Sequence, residues 1–458
     1  MGKTVGLIAL GCAKNRVDGE VMLGLLQRAG YEIAADPERA DTVIVHTCGF
    51  IDAAKEESIE TILEAVEWRK QGKRVVVTGC LAQRYPQELL KEIPEIDALM
   101  GTADLDRIVQ VCETPPAPAP GKVPGRKPVE PRVWLGDPPY LYEADTPRVL
   151  STPAHYAYIK VAEGCSYRCS FCSIPGMRGD QRSRSIESIV QEASTLAQGG
   201  VKEVILISQN TTAYGRDLYG KPQLSALLRE LARVDGIEWI RFLYAYPADV
   251  RDDVIAAMAE EPKVCKYLEM PLQHCDARIL KAMNRGGSRQ ELEALITRLR
   301  ARIQGLTLRT TFIVGFPDET PAEFRQLESF VAWARFERMG VFTYSREEGT
   351  PAASLPKHLA PRVKEHRRHV LMEQQRDISW AYHRSLIGQR LRVLVDRFSD
   401  EEQLWEGRYE GQAPEIDGVV YLQTEHLVPG TFVHAEVIEA TEYDLIARPF
   451  DPGPEHPR

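Results

Sequence analysis

Three cysteines lie close together in the middle of the chain. Cys165, Cys169 and Cys172 form a C-x3-C-x2-C run directly after the strand-like segment YAYIKVA. Thiolates at this spacing can wrap one loop around an iron–sulfur cube, whereas a zinc site usually brings two Cys-x-x-Cys pairs or a nearby histidine, and neither flanks this loop. Three thiolates for four irons leave one iron open, and an open coordination position can support catalysis. The spacing therefore favours a catalytic 4Fe–4S cluster over three unrelated loop cysteines.

A second group of cysteines is spread over the first eighty residues. Cys12, Cys48 and Cys80 follow the strand-like runs GLIAL, TVIVHT and RVVVTG by one or two residues. The carboxyl ends of parallel strands open on one edge of a sheet, so these side chains should meet there although they are far apart in sequence. A buried cysteine at one strand end is ordinary. Three at the same offset predict a shared metal site, again with an incomplete set of protein ligands and room for an added sulfur species.

The remaining three of the nine cysteines have no such partners. Cys112 ends a helical segment and is expected to serve packing. Cys275, beside His274, could face the mouth of a barrel, but we do not expect it to be a ligand. The N-terminal apolar stretch is short and has no A-x-A cleavage site, so it predicts a first β-strand in a protein of the reducing cytoplasm, where cysteines serve metals or catalysis.

Two α/β regions must position these cysteines. Residues 1–114 alternate β-branched runs with helical spacing, which predicts a doubly wound parallel sheet. Residues 115–150 form a proline-rich linker or extended wrap, with nine prolines between Pro115 and Pro139. Residues 151–380 contain six further strand–helix units, which predict a partial (β/α)6 barrel followed by a long charged helix.

The last region, residues 381–450, differs in both pattern and charge. Its short strands, separated by Gly, Pro and Asp, predict a small all-β barrel. The chain of 458 residues carries a net charge of −9, and residues 388–450 alone hold 13 acidic side chains against 5 arginines. Such a domain should repel RNA and attract a basic protein. The alternative is that this acidic face is simply a solubilising surface.

The loop from Cys165 to Cys172, with an aromatic residue before its last cysteine, resembles the signature of the radical S-adenosylmethionine superfamily. The resemblance implies that the open iron binds the methionine part of S-adenosylmethionine, which an electron then cleaves to a 5′-deoxyadenosyl radical. It also implies cofactor contacts: an aromatic residue beside the adenine (Phe171), residues near the methionine part (Gly199, Gly200, Gln209, Asn210) and two positions at the rim of the barrel (Gln273, Gly315).

Over nearly its whole length the chain is similar to the methylthiotransferase family. The resemblance implies a second 4Fe–4S cluster on Cys12, Cys48 and Cys80 that carries the sulfur to be inserted. It further implies that one S-adenosylmethionine donates a methyl group and another provides the radical. The C-terminal barrel is similar to the TRAM domain, which helps to hold the substrate.

Within this family, the segment Ile174–Gly179 (IPGMRG) resembles the RimO-type branch, whose substrate is an aspartate β-carbon of a basic small-subunit ribosomal protein. The acidic last domain favours the same branch, with Glu401, Glu402 and Glu406 expected to contact the substrate. Two alternatives remain: a tRNA adenosine methylthiotransferase, and a non-catalytic iron–sulfur protein. We expect a monomer without membrane segments, since no apolar run approaches the length of a span; the sulfur source and electron donor stay open.

Overall fold

The computed structural model describes residues 3–114, 132–137 and 140–451 of the chain. Its N-terminal part is a six-stranded, wholly parallel sheet in the order β2-β1-β3-β4-β5-β6. The strands are β1 Thr4–Ala9, β2 Glu32–Ile33, β3 Thr42–Thr47, β4 Arg74–Gly79, β5 Ala98–Met100 and β6 Arg132–Trp134. The helices are α1 Ala13–Arg28, α2 Asp52–Glu67, α3 Cys80–Arg84, α4 Pro86–Glu92 and α5 Ile108–Glu113.

The two faces of this sheet are covered by different helices, as expected for a doubly wound fold. Side chains of β3 and β4 pack on one face with α2, α3 and α4, while α1 and α5 cover the other. Strand β6 comes from the proline-rich segment and was not predicted. It pairs with β5, the short strand that would otherwise form the edge of the sheet. The rest of the predicted linker between Thr114 and Arg132 lies outside the described residues.

The central part is a partial barrel of six parallel strands, as the sequence pattern predicted. Its barrel strands are β7 Tyr156–Lys160, β10 Glu203–Ile207, β11 Trp239–Phe242, β12 Tyr267–Glu269, β13 Thr307–Val314 and β14 Arg338–Thr343. A parallel bridge between Ile240 and Val264 joins the β7–β10–β11 sheet to the β12–β13–β14 sheet. The strands β8 Ala162–Glu163 and β9 Arg182–Ser183 form a small antiparallel pair beside the cysteine loop.

Helices pack around these strands over a large apolar core. They are α6 Ile174–Arg178, α7 Ile186–Gln198, α8 Arg216–Tyr219, α9 Leu224–Ala232, α10 Asp252–Glu260, α11 Ala277–Ala282, α12 Arg289–Arg302, α13 Pro321–Ala334 and α14 Pro361–Ser385. Helix α14 is the predicted long charged helix, and it leads into the last domain.

The C-terminal part is a closed five-stranded barrel in the order β15-β16-β17-β19-β18. Its strands are β15 Arg390–Ser399, β16 Leu404–Tyr409, β17 Val420–Leu422, β18 Phe432–Ala440 and β19 Leu445–Phe450. Because the barrel is closed, its sheet has no open edge. An open edge strand would have to be protected against pairing with other chains.

Several acidic residues of this barrel form ion pairs with arginines. The four pairs are Asp396 with Arg408, Glu406 with Arg397, Glu415 with Arg16, and Asp417 with Arg309. Glu406 is buried, so the expectation that it contacts the substrate was wrong. Asp417 and Glu415 instead attach the barrel to the central domain and to α1, while Glu401 and Glu402 remain exposed.

The junction between α14 and the barrel contains a buried histidine. His383 donates a hydrogen bond from Nδ1 to the carbonyl oxygen of Thr441 at 3.0 Å. Burial, aided by the positive charge of Arg338, lowers its pKa from 6.5 to about 4. No helix among the described residues combines the length and apolar character needed to cross a bilayer.

This histidine should make the protein less stable in mild acid. In the unfolded chain His383 binds a proton near pH 6.5, whereas in the folded chain it does so only near pH 4. The stability that depends on neutral His383 is therefore complete above pH 6.5 and is lost as the pH falls toward 4. Between pH 7 and pH 5 we expect a loss of about 2 kcal/mol in the free energy of unfolding, and a smaller loss in His383→Gln, which keeps a donor for Thr441. Denaturant unfolding at pH 7 and pH 5 measures the loss in both proteins. An equal loss of stability in wild type and His383→Gln would contradict the assignment to His383.

Candidate active site

The three N-terminal cysteines lie at the carboxyl edge of three neighbouring strands. Cys12 follows β1 and precedes α1, Cys48 follows β3, and Cys80 follows β4 as the first residue of α3. Because β1, β3 and β4 are adjacent and parallel, their ends meet at one edge. An added Cβ at Gly11 would lie 3.1 Å from Cys48 Sγ, so the chain before Cys12 runs directly beside Cys48.

A glycine in the left-handed region precedes Cys80. Gly79 has φ +99°, and a Cβ there would lie 2.5 Å from the carbonyl oxygen of Thr47. Only glycine accepts both the positive φ and this close approach, which turns the chain sharply from β4 into α3. The turn places Cys80 beside the neighbouring strand end, where Thr47 immediately precedes Cys48.

The central cysteines lie at the mouth of the partial barrel. Gly164, with φ +81°, precedes Cys165, and the amide of Cys165 donates to the carbonyl oxygen of Gly179. Arg285 donates from Nη1 to Cys169 Sγ at 3.6 Å, and its guanidinium lies 4.3 Å from the centre of the Tyr246 ring. The loop therefore has a buried positive charge in contact with one of the three sulfurs.

Helix α6 connects the two groups of cysteines. It begins after Ser173, next to Cys172, and ends at Arg178, whose side chain is buried against the N-terminal domain. Its five residues span only about 8 Å. Arg178 Nη2 donates to Asn15 Oδ1 at 2.7 Å, and the same amide oxygen lies 3.8 Å from Cys80 Sγ.

Arg178 belongs to a buried group of four charges that joins the N-terminal domain to the barrel. Its Nη1 donates to Asp18 Oδ2 at 3.0 Å and to Glu163 Oε1 at 3.0 Å. Lys160 Nζ donates to Asp18 and, at 2.6 Å, to Glu163 Oε2. The charges of the two cations and the two carboxylates sum to zero. Buried charges are tolerated when they are paired in this way. The two cations lower the pKa of Glu163 although burial opposes them.

The same cation affects the N-terminal thiols. Burial raises the pKa of Cys12, but the positive charges of Lys14 and Arg178 outweigh it, so the pKa lies below its usual value. Burial raises the pKa of Cys48 to about 11. Among the described residues, no three His, Cys, Asp or Glu side chains converge on one point as ligands of a single ion would. In an iron–sulfur cube each thiolate binds a different iron, so the ligands of a cluster do not have to converge on one point.

A cavity of about 520 Å³ lies between the N-terminal domain and the cysteine loop. Cys169, Cys172 and Met177 line it from the barrel, while Arg84 and Tyr85 line it from the N-terminal domain. A smaller cavity of about 340 Å³ lies beside Cys12 and is bounded by all three domains: Gly11 and Arg16, Tyr158 and Tyr244, Glu415 and Ile416. Each group of cysteines therefore borders a space that a substrate could enter.

Most of the expected cofactor contacts lie at the carboxyl ends of the barrel strands. Gln209 Nε2 donates to Glu163 Oε1 at 2.8 Å, while Asn210 Nδ2 donates to Asp249 at 3.0 Å. Gln273 adopts φ +70°, and the Oε1 atoms of Gln209 and Gln273 are buried without a hydrogen-bond partner. Such buried acceptors carry an energetic cost that a polar ligand would remove.

Two expected contacts have mainly packing roles in this structure. Phe171 packs against the apolar cluster formed by Met283, Phe316 and Tyr344. At Gly315, with φ +74°, an added Cβ would lie 2.4 Å from Cγ of Lys364, so α14 approaches its backbone closely. Both residues still lie beside the mouth of the barrel, because Phe171 is in the cysteine loop and Gly315 follows β13.

Gly199 and Gly200 do not lie at the mouth. They precede β10, at the amino ends of the strands, whereas the cysteine loop follows the carboxyl end of β7. The five residues of β10 separate the two ends by about 16 Å. The expectation that these glycines contact the methionine part of a cofactor at the cysteine loop is therefore corrected, and they are left out of the proposed site.

Sequence reasoning missed the residues that connect the two groups of cysteines. The segment IPGMRG contains Arg178 but assigns it no role, and no local pattern marks Asn15, Asp18 or Lys160. A local signal does exist for the cysteines themselves: the Gly-Cys dipeptide occurs at Cys12, Cys80 and Cys165. A glycine before a strand-end cysteine indicates a sharp turn that exposes the thiol at the edge of a sheet.

Three family models match the chain in the order of its domains. Residues 4–101 match an uncharacterised protein family (UPF0004), residues 159–331 match the radical SAM superfamily, and residues 387–449 match the TRAM domain.

Curated relatives match almost end to end. A ribosomal protein uS12 methylthiotransferase RimO from Anaeromyxobacter sp. strain K is 48% identical, with 98% of this chain and 93% of the relative covered. The proteins of the same name from Pelotomaculum thermopropionicum and Geobacter sulfurreducens are 48% and 46% identical, with 97% and 96% of this chain and 99% and 97% of the relatives covered.

Among solved structures, the chain is similar to TsrM, a radical S-adenosylmethionine methyltransferase from Kitasatospora setae with cobalamin and a [4Fe-4S] cluster bound. The TM-score is 0.56 at 16% identity, with 77% of each chain covered. A second structure of TsrM, with tryptophan and an analogue of S-adenosylmethionine bound, has a TM-score of 0.53 at 17% identity and covers 74% of this chain and 73% of that one. At such identity the likeness concerns the fold alone, and it agrees with an N-terminal parallel-sheet domain beside a radical SAM barrel.

Proposed function

The chain belongs to the family of ribosomal protein uS12 methylthiotransferases, and we propose that it attaches a methylthio group to the β-carbon of an aspartate in the small-subunit ribosomal protein uS12. The radical SAM family implies a 4Fe–4S cluster and S-adenosylmethionine. We assign that cluster to Cys165, Cys169 and Cys172, and a second 4Fe–4S cluster to Cys12, Cys48 and Cys80.

The observation that supports this proposal most directly is the closeness of the two cysteine groups. Helix α6 starts beside Cys172 and ends at Arg178, which hydrogen-bonds to Asn15 next to Cys80. A carbon activated at one site can therefore meet sulfur held at the other without leaving the protein. An electron carrier would not need the cavity of about 520 Å³ that opens between the barrel loop and the N-terminal domain.

When bound, the two clusters would supply the electron that starts S-adenosylmethionine cleavage and the position that holds the sulfur to be inserted. The chain's own residues bind S-adenosylmethionine and hold the two domains in place. Gln209 and Gln273 offer unpartnered carbonyl oxygens to the polar groups of S-adenosylmethionine. Arg178 and Lys160 keep the two domains in one relative position, so that the reacting groups are held at a fixed separation.

Direct analysis of the products tests the function. Purified enzyme with restored iron and sulfur, S-adenosylmethionine and a reductant is incubated with uS12 or with tRNA, both from a strain lacking the gene. We expect mass spectrometry to find a methylthio group on an aspartate of uS12 and none on tRNA adenosine. Methylthioadenosine in the tRNA, with unmodified uS12, would contradict the proposal.

Replacing Cys48 by alanine should separate the two parts of the reaction. Cys48 lies on the N-terminal edge and not in the barrel loop, so S-adenosylmethionine cleavage should stay within about threefold of wild type, while methylthiolation should fall at least about a hundredfold. Deoxyadenosine release, iron content and product mass are measured on the same preparation. Retained methylthiolation would remove the second cluster from the mechanism.

The same proposal includes where the enzyme works and in what form. We propose that it works in the cytoplasm, which a ribosomal substrate supports, and that it acts as a monomer. Fractionation of tagged cells and light scattering of the anaerobic protein test these two points.

A further inference from the structure

The outer face of the N-terminal domain carries an apolar groove between α2 and α4. The groove has a volume of about 580 Å³, and its floor is formed by Leu81, Leu89 and Ile93. On its α2 side, Ile59 and Leu63 are 38% and 47% exposed. Large apolar side chains grouped beside an open groove are a common feature of interaction sites.

The border of the groove is acidic. Helix α2 contains six acidic residues and one lysine between Asp52 and Glu67. That lysine, Lys55, is held by Asp52 and by buried Glu347, so its charge is already compensated. The exposed carboxylates of Glu56 and Glu88 line the groove itself, as does Glu92, which is paired with exposed Lys91.

The groove adjoins the cavity at the cysteine loop. Tyr85 and Glu88 line both spaces, and Cys169 and Cys172 lie on the far wall of the cavity. Arg84 fixes this border, because its guanidinium donates to Glu347 at 2.8 Å and to the carbonyl oxygen of Gly49 at 2.8 Å. A polypeptide seated in the groove would thus continue directly toward the proposed reaction site.

We propose that this groove docks a basic, amphipathic segment of the ribosomal protein substrate and so delivers the target aspartate to the cavity. The inference rests on the proposed function and adds a docking surface to it. Acidic borders attract a lysine- and arginine-rich protein and repel nucleic acid, and the apolar floor accepts aliphatic side chains between the cations. Ribosomal proteins offer such cations because they contact RNA phosphates.

Charge reversal at one residue tests the docking surface, with its sequence neighbour as the matched control. Glu56 lines the groove, whereas Glu57 is also exposed on α2 and does not line it. We expect Glu56→Lys to raise the Kd of the holoenzyme for purified uS12 about fivefold at low salt and less at high salt, with Glu57→Lys within about twofold of wild type. Leu63→Ser should raise the Kd similarly at both salt concentrations, because an apolar contact is not screened.

The readouts separate failure of this inference from failure of the function. Iron content and the thermal midpoint confirm that each variant is intact, and KM should rise while kcat at saturating uS12 is kept. Equal effects of Glu56→Lys and Glu57→Lys on the Kd would overturn the docking role of the groove. Modification of uS12 by the wild type would still support the proposed function in that case. An unchanged or lower Kd in Glu56→Lys, as expected if residues 115–131 of the chain itself occupied the groove, would overturn it too. Absence of uS12 modification by the wild type would overturn the function itself.

Discussion

Replacing Cys169 by alanine is expected to abolish S-adenosylmethionine cleavage, with a loss of at least about a thousandfold in the rate of deoxyadenosine release. Cys169 is the middle residue of the loop, it lines the cavity, and Arg285 donates to its sulfur at 3.6 Å. A cluster that loses one of three thiolates would leave two irons without a protein ligand. Iron bound at the N-terminal cysteines should remain, because they belong to a separate sheet edge.

Cys112→Ala is the matched control for this variant. Cys112 is a buried cysteine outside both groups, and it packs in the core between α1, α5 and the sheet. Its removal should cost about 1 kcal/mol of stability and leave cleavage unchanged. Anaerobic iron analysis and deoxyadenosine assays compare the two proteins. Cleavage by Cys169→Ala at a rate near that of the control would show that the open iron lies elsewhere.

Replacing Arg178 by methionine is expected to cause the largest loss of stability. Asp18 and Glu163 would then share Lys160 as their only cation, which leaves one buried negative charge unpaired. Breaking a buried ion pair from one side costs about 3–5 kcal/mol. The N-terminal domain should also loosen from the barrel, because Arg178 donates to Asn15 and Asp18 on one side and to Glu163 on the other.

Two further variants identify charge balance as the cause. Adding Glu163→Gln to Arg178→Met restores one cation for one carboxylate and should recover part of the lost stability. Arg168→Met removes an arginine of the cysteine loop whose pair with Asp180 is exposed at 52% and 66%, and it should cost less than about 1 kcal/mol. Denaturant unfolding gives the free energies. A loss below about 1 kcal/mol for Arg178→Met would show that the buried charges do not hold the domains together.

The agreement between sequence and structure is closest where a pattern is local. β3 and β4 coincide with the runs TVIVHT and RVVVTG, since β-branched residues buried on both faces define a central parallel strand. The barrel strands and the five strands of the last domain follow the same logic of short apolar runs between turn residues. The expected meeting of Cys12, Cys48 and Cys80 needed only strand ends and a parallel sheet.

The errors came from properties that a local pattern does not carry. Gly199 and Gly200 were assigned to the wrong end of a strand, because a Gly-Gly pair indicates a turn but not which ligand lies beside it. Glu406 was expected at the surface because net charge does not reveal pairing, and only the barrel register places it opposite Arg397. Strand β6 was missed because its pairing with β5 depends on a return of the chain to the sheet edge.

Local patterns were enough to predict the class of each domain, the two groups of cysteines and the elements that carry them, because hydrophobic periodicity acts over a few residues and the cysteines follow predicted strands. How the two groups face each other depends on contacts between residues that are far apart in the chain. Asp18 and Lys160 are 142 residues apart in the chain, and their contact exists only once two separately formed cores are packed together. The cavity beside Cys169 and the neutral set of buried charges both arise at that packing step, since burial and charge pairing depend on which surfaces meet.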